Sequence, residues 1–373
     1  LRTQYVNLAT YGDVANGNGG TGFTPGASAG RVMGSTAAEQ ATLAAAAPLL
    51  ASRFPYLDAD QRAEVLRTTA LASAGPLDNG SGWDRLNLFA AADGYGSFTS
   101  NVAVTMNAAQ GGYSAFDVWA NDISGSGGLT LGGTGTLVLA GDNSYSGGTT
   151  VAGGTLGLSG SLAGAVTVAP GATFYNAGTV TALAGSQVSN AGTLTNDGTI
   201  TSAVVNAGLL GGNGTINGTL TNSGTLSPGN SVGTVRVNGA VTFLPGSTYA
   251  AEMEPGGVSD LVVATGTVTI SGGTLQLIAA PGLAFGFDTM TLLTAGGGLS
   301  GSFDAVSDPF ADEYPYLDVT LVYTPSGVMV ESVRSSVDFR TYATTPNQVA
   351  VATALDSLPA TAPIVEEVAA LNA

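Results

Sequence analysis

Between residues 101 and 249, apolar and polar residues alternate in short runs of about four to six positions. Thr136–Leu139 and Thr193–Thr195 are two such runs, and a glycine or an asparagine follows soon after each of them. Alternation predicts strands with one buried face, whereas the glycine and asparagine positions predict tight turns. The pattern therefore predicts a long succession of short strands.

Turns of the form Asn-Gly or Asn-x-Gly recur in this part of the chain at a fixed spacing. The steps from Asn190 to Asn206 and from Asn206 to Asn222 are both 16 residues. Short strands between tight turns at a fixed period are typical of a solenoid. Small corner residues, inward aliphatic residues and ladders of Asn and Thr favour a mainly β fold, a right-handed parallel β-helix. The turn asparagines are Asn176, Asn190, Asn196, Asn206, Asn213, Asn217 and Asn222.

Residues 1–98 have the periodicity of helices rather than of strands. Asp58 followed by Gln61 predicts a capping box at the start of a helix. The inner face of this helix carries Val65 and Leu66. Two further helices are predicted over Ala37–Ser52, which Pro48 bends or ends, and over Trp83–Asp93, which Gly94 closes.

Residues 251–333 keep the strand pattern but become more hydrophobic and more acidic. An open end of a solenoid exposes sheet edges and needs a cap. We therefore predict that this region is the C-terminal cap of the β-helix. Its predicted strands are Leu261–Val263, Thr267–Ile270, Thr274–Ile278, Met290–Leu293, Val319–Tyr323 and Val328–Val330.

After Arg340 the pattern changes to that of a helix. Thr345, Pro346 and Pro359 are its predicted N-cap, first residue and stop. Its apolar stripe consists of Val351, Leu355 and Leu358. The predicted domains are thus a small helical segment (1–98), the β-helix (99–250), its C-terminal cap (251–333) and a linker helix (334–373).

The composition removes most catalytic chemistry. The 373 residues include no Cys, no His and no Lys, and the nine basic residues are all Arg, against 26 acids. Without Cys and His, this chain by itself cannot form a zinc site, a Cys nucleophile or a Ser-His-Asp triad. The net charge of −17 argues against nucleic acid as a partner and against anionic membranes, because both require clustered cations.

Three groups of acidic residues remain as candidates for catalysis. Glu252 and Glu254 lie two positions apart on a predicted strand and would share a face, and paired carboxylates can cleave glycosides. Helix caps, such as Asp58, and solvated faces explain these acids better. We therefore predict no catalytic, cofactor-binding or metal-binding residue. The other acids in these groups are Asp60, Glu64, Asp304, Asp308, Asp312 and Glu313.

Five aromatic residues lie near the junction between the helical segment and the first strands. Large aromatic side chains bury much apolar area when they pack against a neighbouring element. We interpret the five as packing between the helical segment and the β-helix rather than as a binding surface. They are Trp83, Phe89, Tyr95, Phe116 and Trp119.

Several segments resemble the passengers of bacterial autotransporters, the proteins of type V secretion. Gly127–Leu158 resembles the autotransporter-associated β-strand repeat. Gly224–Gly239 and Ser259–Leu277 resemble the end of a passenger β-helix, and Leu321–Arg334 and Thr345–Leu358 resemble the segment before the outer-membrane barrel. Together these segments cover roughly the part of the chain from residue 101 onward.

This resemblance implies a stalk that is exported across the outer membrane of a Gram-negative bacterium to the cell surface or the extracellular space. It also implies that the stalk folds vectorially, from residues 251–333 toward the N-terminus, and displays an N-terminal effector module. The implied partners are the protein's own outer-membrane barrel, which we expect outside this chain, the barrel assembly machinery, and a host or sister-cell surface.

The helical segment has a narrower resemblance. Leu49–Leu71 and Pro76–Phe98 resemble the tail of the vanadium-haloperoxidase-like acid phosphatase module of some autotransporters. That module uses Lys, Arg and two His residues, so no catalytic residue can be assigned here. The end of a subtilisin-like protease is the competing interpretation of this segment. For the stalk itself, an adhesin surface is a further alternative, and whether the whole protein is an enzyme stays open.

Overall fold

The computed structural model describes residues 46–70, 87–254, 257–279, 289–307 and 314–370. The fold is mainly β and is a right-handed parallel β-helix, as predicted. Each rung of the helix consists of three consecutive strands, one in each of three sheets. The contacts divide the chain into two units, Leu1–Leu194 and Thr195–Ala373, which are described in turn.

The first unit contains short strands that are separated by tight turns, as the alternating runs predict. Its three main sheets have the orders β2-β5-β8-β11-β14, β3-β6-β9-β12 and β7-β10-β13, and β1 pairs with β4; all these pairs are parallel. The strands are β1 (Ser97–Phe98), β2 (Val102–Met106), β3 (Phe116–Trp119), β4 (Ser124–Gly125), β5 (Leu129–Gly133), β6 (Thr136–Leu139), β7 (Asp142–Asn143), β8 (Thr149–Val151), β9 (Thr155–Leu158), β10 (Ser161–Ala163), β11 (Val166–Val168), β12 (Thr173–Asn176), β13 (Thr179–Thr181), β14 (Val188–Asn190) and β15 (Thr193–Asn196).

The second unit has the same three-sheet rungs, and its parallel strands continue beyond residue 250 as far as β31. Its sheets have the orders β17-β20-β23-β27-β30, β18-β21-β24-β28-β31 and β16-β19-β22-β26-β29-β33-β32. The strands are β16 (Thr199–Thr201), β17 (Val204–Asn206), β18 (Leu209–Gly212), β19 (Thr215–Ile216), β20 (Leu220–Asn222), β21 (Thr225–Pro228), β22 (Thr234–Val237), β23 (Val241–Phe243), β24 (Thr248–Glu254), β25 (Val258–Ser259), β26 (Leu261–Ala264), β27 (Val268–Ile270), β28 (Thr274–Ala279), β29 (Thr289–Ala295), β30 (Leu299–Gly301), β31 (Ala305–Ser307), β32 (Leu317–Thr324) and β33 (Gly327–Arg334).

The end of the second unit departs from the parallel pattern. β33 pairs antiparallel with β29, and β32 pairs antiparallel with β33 through a tight hairpin. A small antiparallel pair also joins β24 to β25. The hairpin β32–β33 therefore closes one of the three sheets with a different strand direction, as a cap does.

The core of each unit consists of aligned columns of inward side chains. In the first unit, Leu137 on β6, Leu156 on β9 and Phe174 on β12 are neighbours in register and are fully buried. Successive rungs lie about 4.8 Å apart, so each side chain packs on the equivalent side chain of the next rung. This stacking buries apolar surface without any long-range loop.

Of the recurring asparagines, those at the sixteen-residue spacing are buried at one corner, whereas Asn213 and Asn217 are exposed. Asn206 and Asn222 are neighbours in register and are fully buried. The Asn206 side-chain amide donates to Asn222 Oδ1 (2.7 Å) and to the carbonyl of Thr225 (2.9 Å). The amides thus satisfy backbone groups that the turns leave without a partner, which is the physical reason for the sequence period.

Glycine is required where one corner lies directly on the next. A Cβ atom on Gly160 would lie 2.1 Å from the carbonyl oxygen of Gly141, closer than any real contact. Gly132, in the middle of a strand, has free space at the same position, with no atom nearer than 3.8 Å. The corner glycines therefore determine how closely the rungs can stack.

The helices lie at the two ends of the described chain, and none of them in the described ranges is long and apolar enough to cross a membrane. The predicted capping box at Asp58 with Gln61 and the predicted N-cap at Thr345 are confirmed. At Thr345 the structure adds Gln348 as the partner of a second capping box. The helices are α1 (46–53), α2 (Ala59–Thr68), α3 (Leu88–Ala92), α4 (Gly112–Ala115), α5 (Pro346–Asp356) and α6 (Pro363–Ala369), with 3₁₀ turns at Ala108–Gln110 and Phe339–Tyr342.

The structure decides one alternative for Pro48 and corrects one helix prediction. α1 continues through Pro48 to residue 53, so Pro48 does not end this helix. In α5 the predicted apolar stripe is not buried as a whole: Val351 is 60% exposed and Leu358 is 44% exposed. Only Leu355 of that stripe is buried, because α5 packs against a single 3₁₀ turn.

Candidate functional site: the N-terminal cap of the β-helix

The first rung of the β-helix, formed by β2, β3 and β4, would expose three sheet edges without a covering element. The residues that meet these edges come from the helical segment that precedes the strands. They form a cap centred on a buried ion pair between Arg53 and Asp117. We call this arrangement, residues 46–70 and 87–98 against β2, β3 and β4, the N-terminal cap.

Asp117 stands at an inward position of β3, in register with Leu137 of the next rung. Its carboxylate would be a buried charge at the end of an aliphatic column. Arg53, in the last turn of α1, donates from Nη1 to Asp117 Oδ2 over 2.6 Å. Both residues are less than 10% exposed. The ion pair is therefore shielded from water and held by direct hydrogen bonds.

The other donors of the Arg53 guanidinium reach backbone carbonyls. Nε donates to the carbonyl of Ala92 (2.9 Å) at the end of α3, and Nη2 donates to the carbonyl of Val118 (3.3 Å) on β3. One side chain therefore joins α1, α3 and the edge of the first rung. Burial tends to lower the pKa of Arg53, but the hydrogen bond and the charge of Asp117 outweigh it and raise that pKa.

Aromatic side chains enclose the ion pair. The Arg53 guanidinium lies 4.4 Å from the ring centre of Phe54 and 4.3 Å from that of Tyr113, within the range of cation–π attraction. Tyr56 donates its hydroxyl proton to Asp117 and accepts a hydrogen bond from Trp119 Nε1 (2.9 Å). Burial, followed by the charge of Asp117, raises the pKa of Tyr56 far above its ordinary value, so this hydroxyl stays protonated.

The cap meets all three edges of the first rung. Gln61 Nε2 donates to the carbonyl of Ala103 (2.6 Å) at the edge of β2. Arg53 Nη2 donates to the carbonyl of Val118 at the edge of β3. At the edge of β4, β1 adds a parallel strand that aligns Ser97 with Ser124. The helical segment thus supplies some of the hydrogen bonds that another rung would otherwise make.

The prediction for the junction aromatics is confirmed in part. Tyr95 and Trp119 are fully buried, with ring centres 5.3 Å apart. Phe89 and Phe116 are 41% and 55% exposed, so their assignment to the packing is wrong. Phe116 and Asp117 point to opposite faces of β3. The Asp117 carboxylate can take the inward position because Arg53 neutralises its charge. Trp83 lies outside the described residues.

The acidic candidates lie at separate places in the described part of the chain. Glu252 and Glu254 share the outward face of β24, as their spacing predicts. No group of three or more acidic residues that could hold a metal ion occurs among the described residues. In the N-terminal cap, Asp58 caps α2, Asp60 is exposed and Glu64 pairs with Arg67. In the second unit, Asp304 accepts a hydrogen bond from the Gly273 N–H (2.8 Å). Asp308, Asp312 and Glu313 lie outside the described residues.

A buried carboxylate in the second unit is absent from the candidates of the sequence analysis. Asp260 is fully buried and accepts hydrogen bonds from the N–H groups of Gly233 (2.7 Å) and Glu252 (3.0 Å). Burial raises the pKa of Asp260 to about 6. The two hydrogen bonds act in the opposite direction and lower this pKa, whereas the negative charges of Glu252 and Glu254 raise it further. Asp260 therefore holds a turn together and also titrates in an accessible pH range.

The two residues at the centre of the cap were also missed by sequence reasoning. Asp117 and Trp119 both point inward from β3, and an acidic residue at an inward position indicates that it has a buried partner. Arg53 is a basic residue in an apolar helical segment, which also indicates a buried partner. Neither signal identifies the other residue, because 64 positions separate them in the chain.

Comparison with known proteins adds independent information. Residues 129–158 match the model of the passenger-associated-transport-repeat family. The chain is 31% identical over 361 residues to an extracellular serine protease of Serratia marcescens, an alignment that covers 86% of this chain and 31% of that protein. A second extracellular serine protease of Serratia marcescens is 29% identical over 379 residues, covering 90% of this chain and 32% of that protein.

A third relative matches a shorter part of the chain. The Neisserial autotransporter lipoprotein NalP of Neisseria meningitidis is 36% identical over 138 residues, which cover 35% of this chain and 12% of that protein. The chain spans about a third of the length of the two Serratia relatives. None of these names supports the acid phosphatase interpretation of the helical segment.

Proposed function

Because this chain belongs to the autotransporter passengers and carries their transport repeat, we propose that its secreted β-helical stalk folds vectorially during export. In this proposal the C-terminal end of the second unit leaves the outer membrane first and folds outside the cell. Each folded rung then serves as the template for the rung that precedes it in the sequence. The N-terminal cap closes the stack last and carries an N-terminal effector module.

One observation carries this proposal: the second unit ends in an antiparallel hairpin on which rungs can stack. β33 pairs with β29 in the hairpin cap, and the carbonyl of Pro325 in the hairpin turn accepts from the N–H of Leu299 on β30 (2.9 Å). A hairpin that folds early presents an intact sheet edge to the chain that follows.

An aromatic cluster in the second unit also favours folding that starts at the C-terminal end. The ring of Phe243 lies 5.9 Å from that of Tyr249 and 5.4 Å from that of Phe303. The Tyr249 hydroxyl donates to the carbonyl of Leu292 (2.6 Å). Large aromatic side chains bury the most apolar area per residue, so this cluster strongly stabilises the first rungs to form.

The energy for export would come from the rungs themselves. Val204, Leu210 and Ile216 face inward in one rung and are almost completely buried. Burial of such a side chain contributes about 1.5–3 kcal/mol, and it is gained only when the neighbouring rung is in place. Since a folded stack cannot slide back through a narrow pore, its growth would draw the chain outward without ATP.

Deletion of residues 252–333 tests vectorial folding. We expect the remaining stalk to be digested by a broad-specificity protease, because the rungs lose their template. A variant without residues 1–98 is the matched control, and its second unit should stay resistant. A stalk that is equally resistant after both deletions would show that the C-terminal end is not required as a template.

For the effector module we propose a serine protease. The support is that two relatives with this name align over most of the chain and extend well beyond the aligned part. This chain has no His, so a Ser-His-Asp triad would require residues outside it. We expect the full-length protein to hydrolyse peptides and to lose this activity with a serine-directed inhibitor. Hydrolysis of a phosphate monoester instead would favour the acid phosphatase.

We also propose that the linker helix contacts the outer-membrane barrel of the same protein during export, with the barrel assembly machinery as a second partner. The exposed Val351 of α5 supports a covering partner at this position. A photo-crosslinking residue at Val351 should capture the barrel during export, whereas one at the buried Leu355 should capture it less. Equal capture from both positions would contradict this contact.

A further inference from the structure

Three Asn-Gly pairs follow strands of the second unit, namely Asn213-Gly214, Asn217-Gly218 and Asn238-Gly239. Glycine has no side chain that shields its amide nitrogen. That nitrogen can therefore attack the side-chain amide carbon of the asparagine that precedes it. The three asparagines are all exposed, so neither the sequence nor their exposure distinguishes one pair from another.

Backbone hydrogen bonds separate the first pair from the other two. Gly214 is buried, and its N–H donates to the carbonyl of Asn196 (2.7 Å). Gly218 and Gly239 are partly exposed, and their N–H groups have no acceptor among the described residues. A hydrogen-bonded amide must open before it can react. Gly214 is therefore protected, whereas the nitrogens of the other two glycines are accessible.

The asparagine side chains differ in the same way. Asn213 Oδ1 accepts from the backbone N–H of Thr234 (2.9 Å), at the start of a strand. Asn238 Nδ2 donates instead to Asn217 Oδ1 on the neighbouring rung (2.7 Å), and Asn217 Nδ2 donates to Thr201 Oγ1 over 3.4 Å. Bonds between exposed side chains open more readily than a bond to a strand. The donation to Asn217 Oδ1 also makes the Cγ atom of Asn217 more electrophilic.

We propose that Asn217 and Asn238 are sites of spontaneous deamidation in the folded stalk. The Gly218 nitrogen loses its proton, forms a bond to Asn217 Cγ and expels the side-chain nitrogen, which leaves as ammonia. Water then opens the resulting cyclic imide at either of its carbonyls and gives aspartate or isoaspartate. One water is consumed and one ammonia is released, without an oxidant, a cofactor or an enzyme. Asn238 reacts in the same way with Gly239.

The products weaken the corner that holds both asparagines. Each reaction adds one negative charge to a chain that already carries −17. The two carboxylates replace an amide hydrogen bond between rungs about 4.8 Å apart, where like charges repel. Isoaspartate also adds one backbone atom between β19 and β20, and this corner sets the register of Leu220 with Val241 of the next rung. The stalk therefore loosens at this corner with age.

Peptide mapping by mass spectrometry compares the three sites within one molecule. After incubation of the folded 373-residue chain in mildly alkaline buffer, we expect Asn217 and Asn238 to deamidate at least about tenfold faster than Asn213. In the chain unfolded by urea the three rates should be similar, because the protection of Gly214 is lost. Equal rates in the folded chain overturn the proposal. The same difference in the unfolded chain, or a folded chain in which neither Asn217 nor Asn238 reacts, overturns it too.

Glutamine variants test the assignment of the new charges. Asn217→Gln keeps a side-chain amide next to Asn238, but a glutamine must close a larger ring, which forms much more slowly. On anion exchange of the aged folded chain, this variant should gain one negative charge where the unmodified chain gains two. Asn213→Gln is the matched control and should age like the unmodified chain. A gain of two charges in Asn217→Gln would contradict the assignment.

Discussion

At the scale of single residues, the charges of Arg53 and Asp117 stabilise the N-terminal cap only as a pair. Each is buried, and Arg53 donates a direct hydrogen bond to Asp117. Removing one partner leaves an uncompensated charge, whereas replacing both with apolar residues leaves none. The pair is thus a connection between two elements rather than a simple gain in stability.

We predict that Arg53→Met lowers the free energy of unfolding of the first unit by roughly 3–5 kcal/mol. The double variant Arg53→Met/Asp117→Leu should recover most of this loss, because no buried charge remains. Arg67→Met is the matched control, since its ion pair with Glu64 is partly exposed and such pairs contribute about 0–1 kcal/mol. Chemical denaturation followed by the fluorescence of Trp119 measures the three values. A double variant as unstable as Arg53→Met would contradict this account.

Asp260 gives a prediction about pH. Burial raises its pKa from 3.8 to about 6, so the folded state binds this proton more tightly than the unfolded state does. The resulting stability is fully present below about pH 4 and is lost as the pH rises through about 6. We expect this residue to make the second unit up to about 3 kcal/mol less stable at pH 7 than at pH 4.

Denaturation midpoints at both pH values, in the unmodified chain and in Asp260→Asn, measure the contribution of Asp260. The variant should lose this part of the pH dependence. Asp304→Asn is the control, because Asp304 is exposed and accepts a single backbone N–H, and it should keep the profile of the unmodified chain. An unchanged profile in Asp260→Asn would assign the pH dependence to other residues.

At the scale of elements, each strand has one face in the core and one in solvent, and its stability depends on this alternation. Leu194 on β15 and Leu220 on β20 are fully buried. Thr221, next to Leu220, faces outward. Neighbouring positions of one strand therefore tolerate very different residues.

We predict that Leu220→Asp lowers the free energy of unfolding by roughly 3–5 kcal/mol, because it places an unpaired charge between two rungs. Thr221→Asp on the same strand should change it by less than about 1 kcal/mol. Thermal and chemical unfolding measure both variants, and Leu194→Asp should repeat the result for Leu220→Asp. Similar losses at Leu220 and Thr221 would be inconsistent with the observed faces of β20.

At the scale of the whole molecule, the two ends of the β-helix are built differently. The N-terminal cap depends on a few long-range side-chain contacts around Arg53. The C-terminal end consists of an antiparallel hairpin with continuous backbone pairing and an aromatic cluster around Tyr249. Local backbone pairing forms before long-range contacts do, which is consistent with folding from the C-terminal end.

We predict that amide hydrogen exchange is slowest within residues 251–333 and faster in the N-terminal cap. The reason is that local opening requires less free energy where few buried contacts hold the backbone. Arg53→Met should accelerate exchange in the cap and leave the slowest amides unchanged. Slowest exchange within β5 to β12 would place the most stable part elsewhere and would weaken the case for vectorial folding.

The β-helix itself was predictable from the sequence. The sixteen-residue spacing of Asn190, Asn206 and Asn222, the corner glycines and the short alternating runs are local features. Each of these features corresponds to one repeating contact between neighbouring rungs, so the local pattern is sufficient to predict the fold class. The capping box at Asp58 and the N-cap at Thr345 were predictable for the same reason, because each is a feature of a few neighbouring residues.

The buried charges at the ends of the stack could be recognised only in the tertiary structure. Arg53 and Asp117 are 64 positions apart, and Asp260 is 27 positions from Gly233. A buried charge leaves no periodic signal, and its partner is determined by how elements pack. The place of β32 as the last described strand of its sheet likewise depends on which strand lies beside it. The repeating interior is thus a property of local sequence, whereas the buried ion pair of the N-terminal cap and the contacts of Asp260 join residues far apart in the chain.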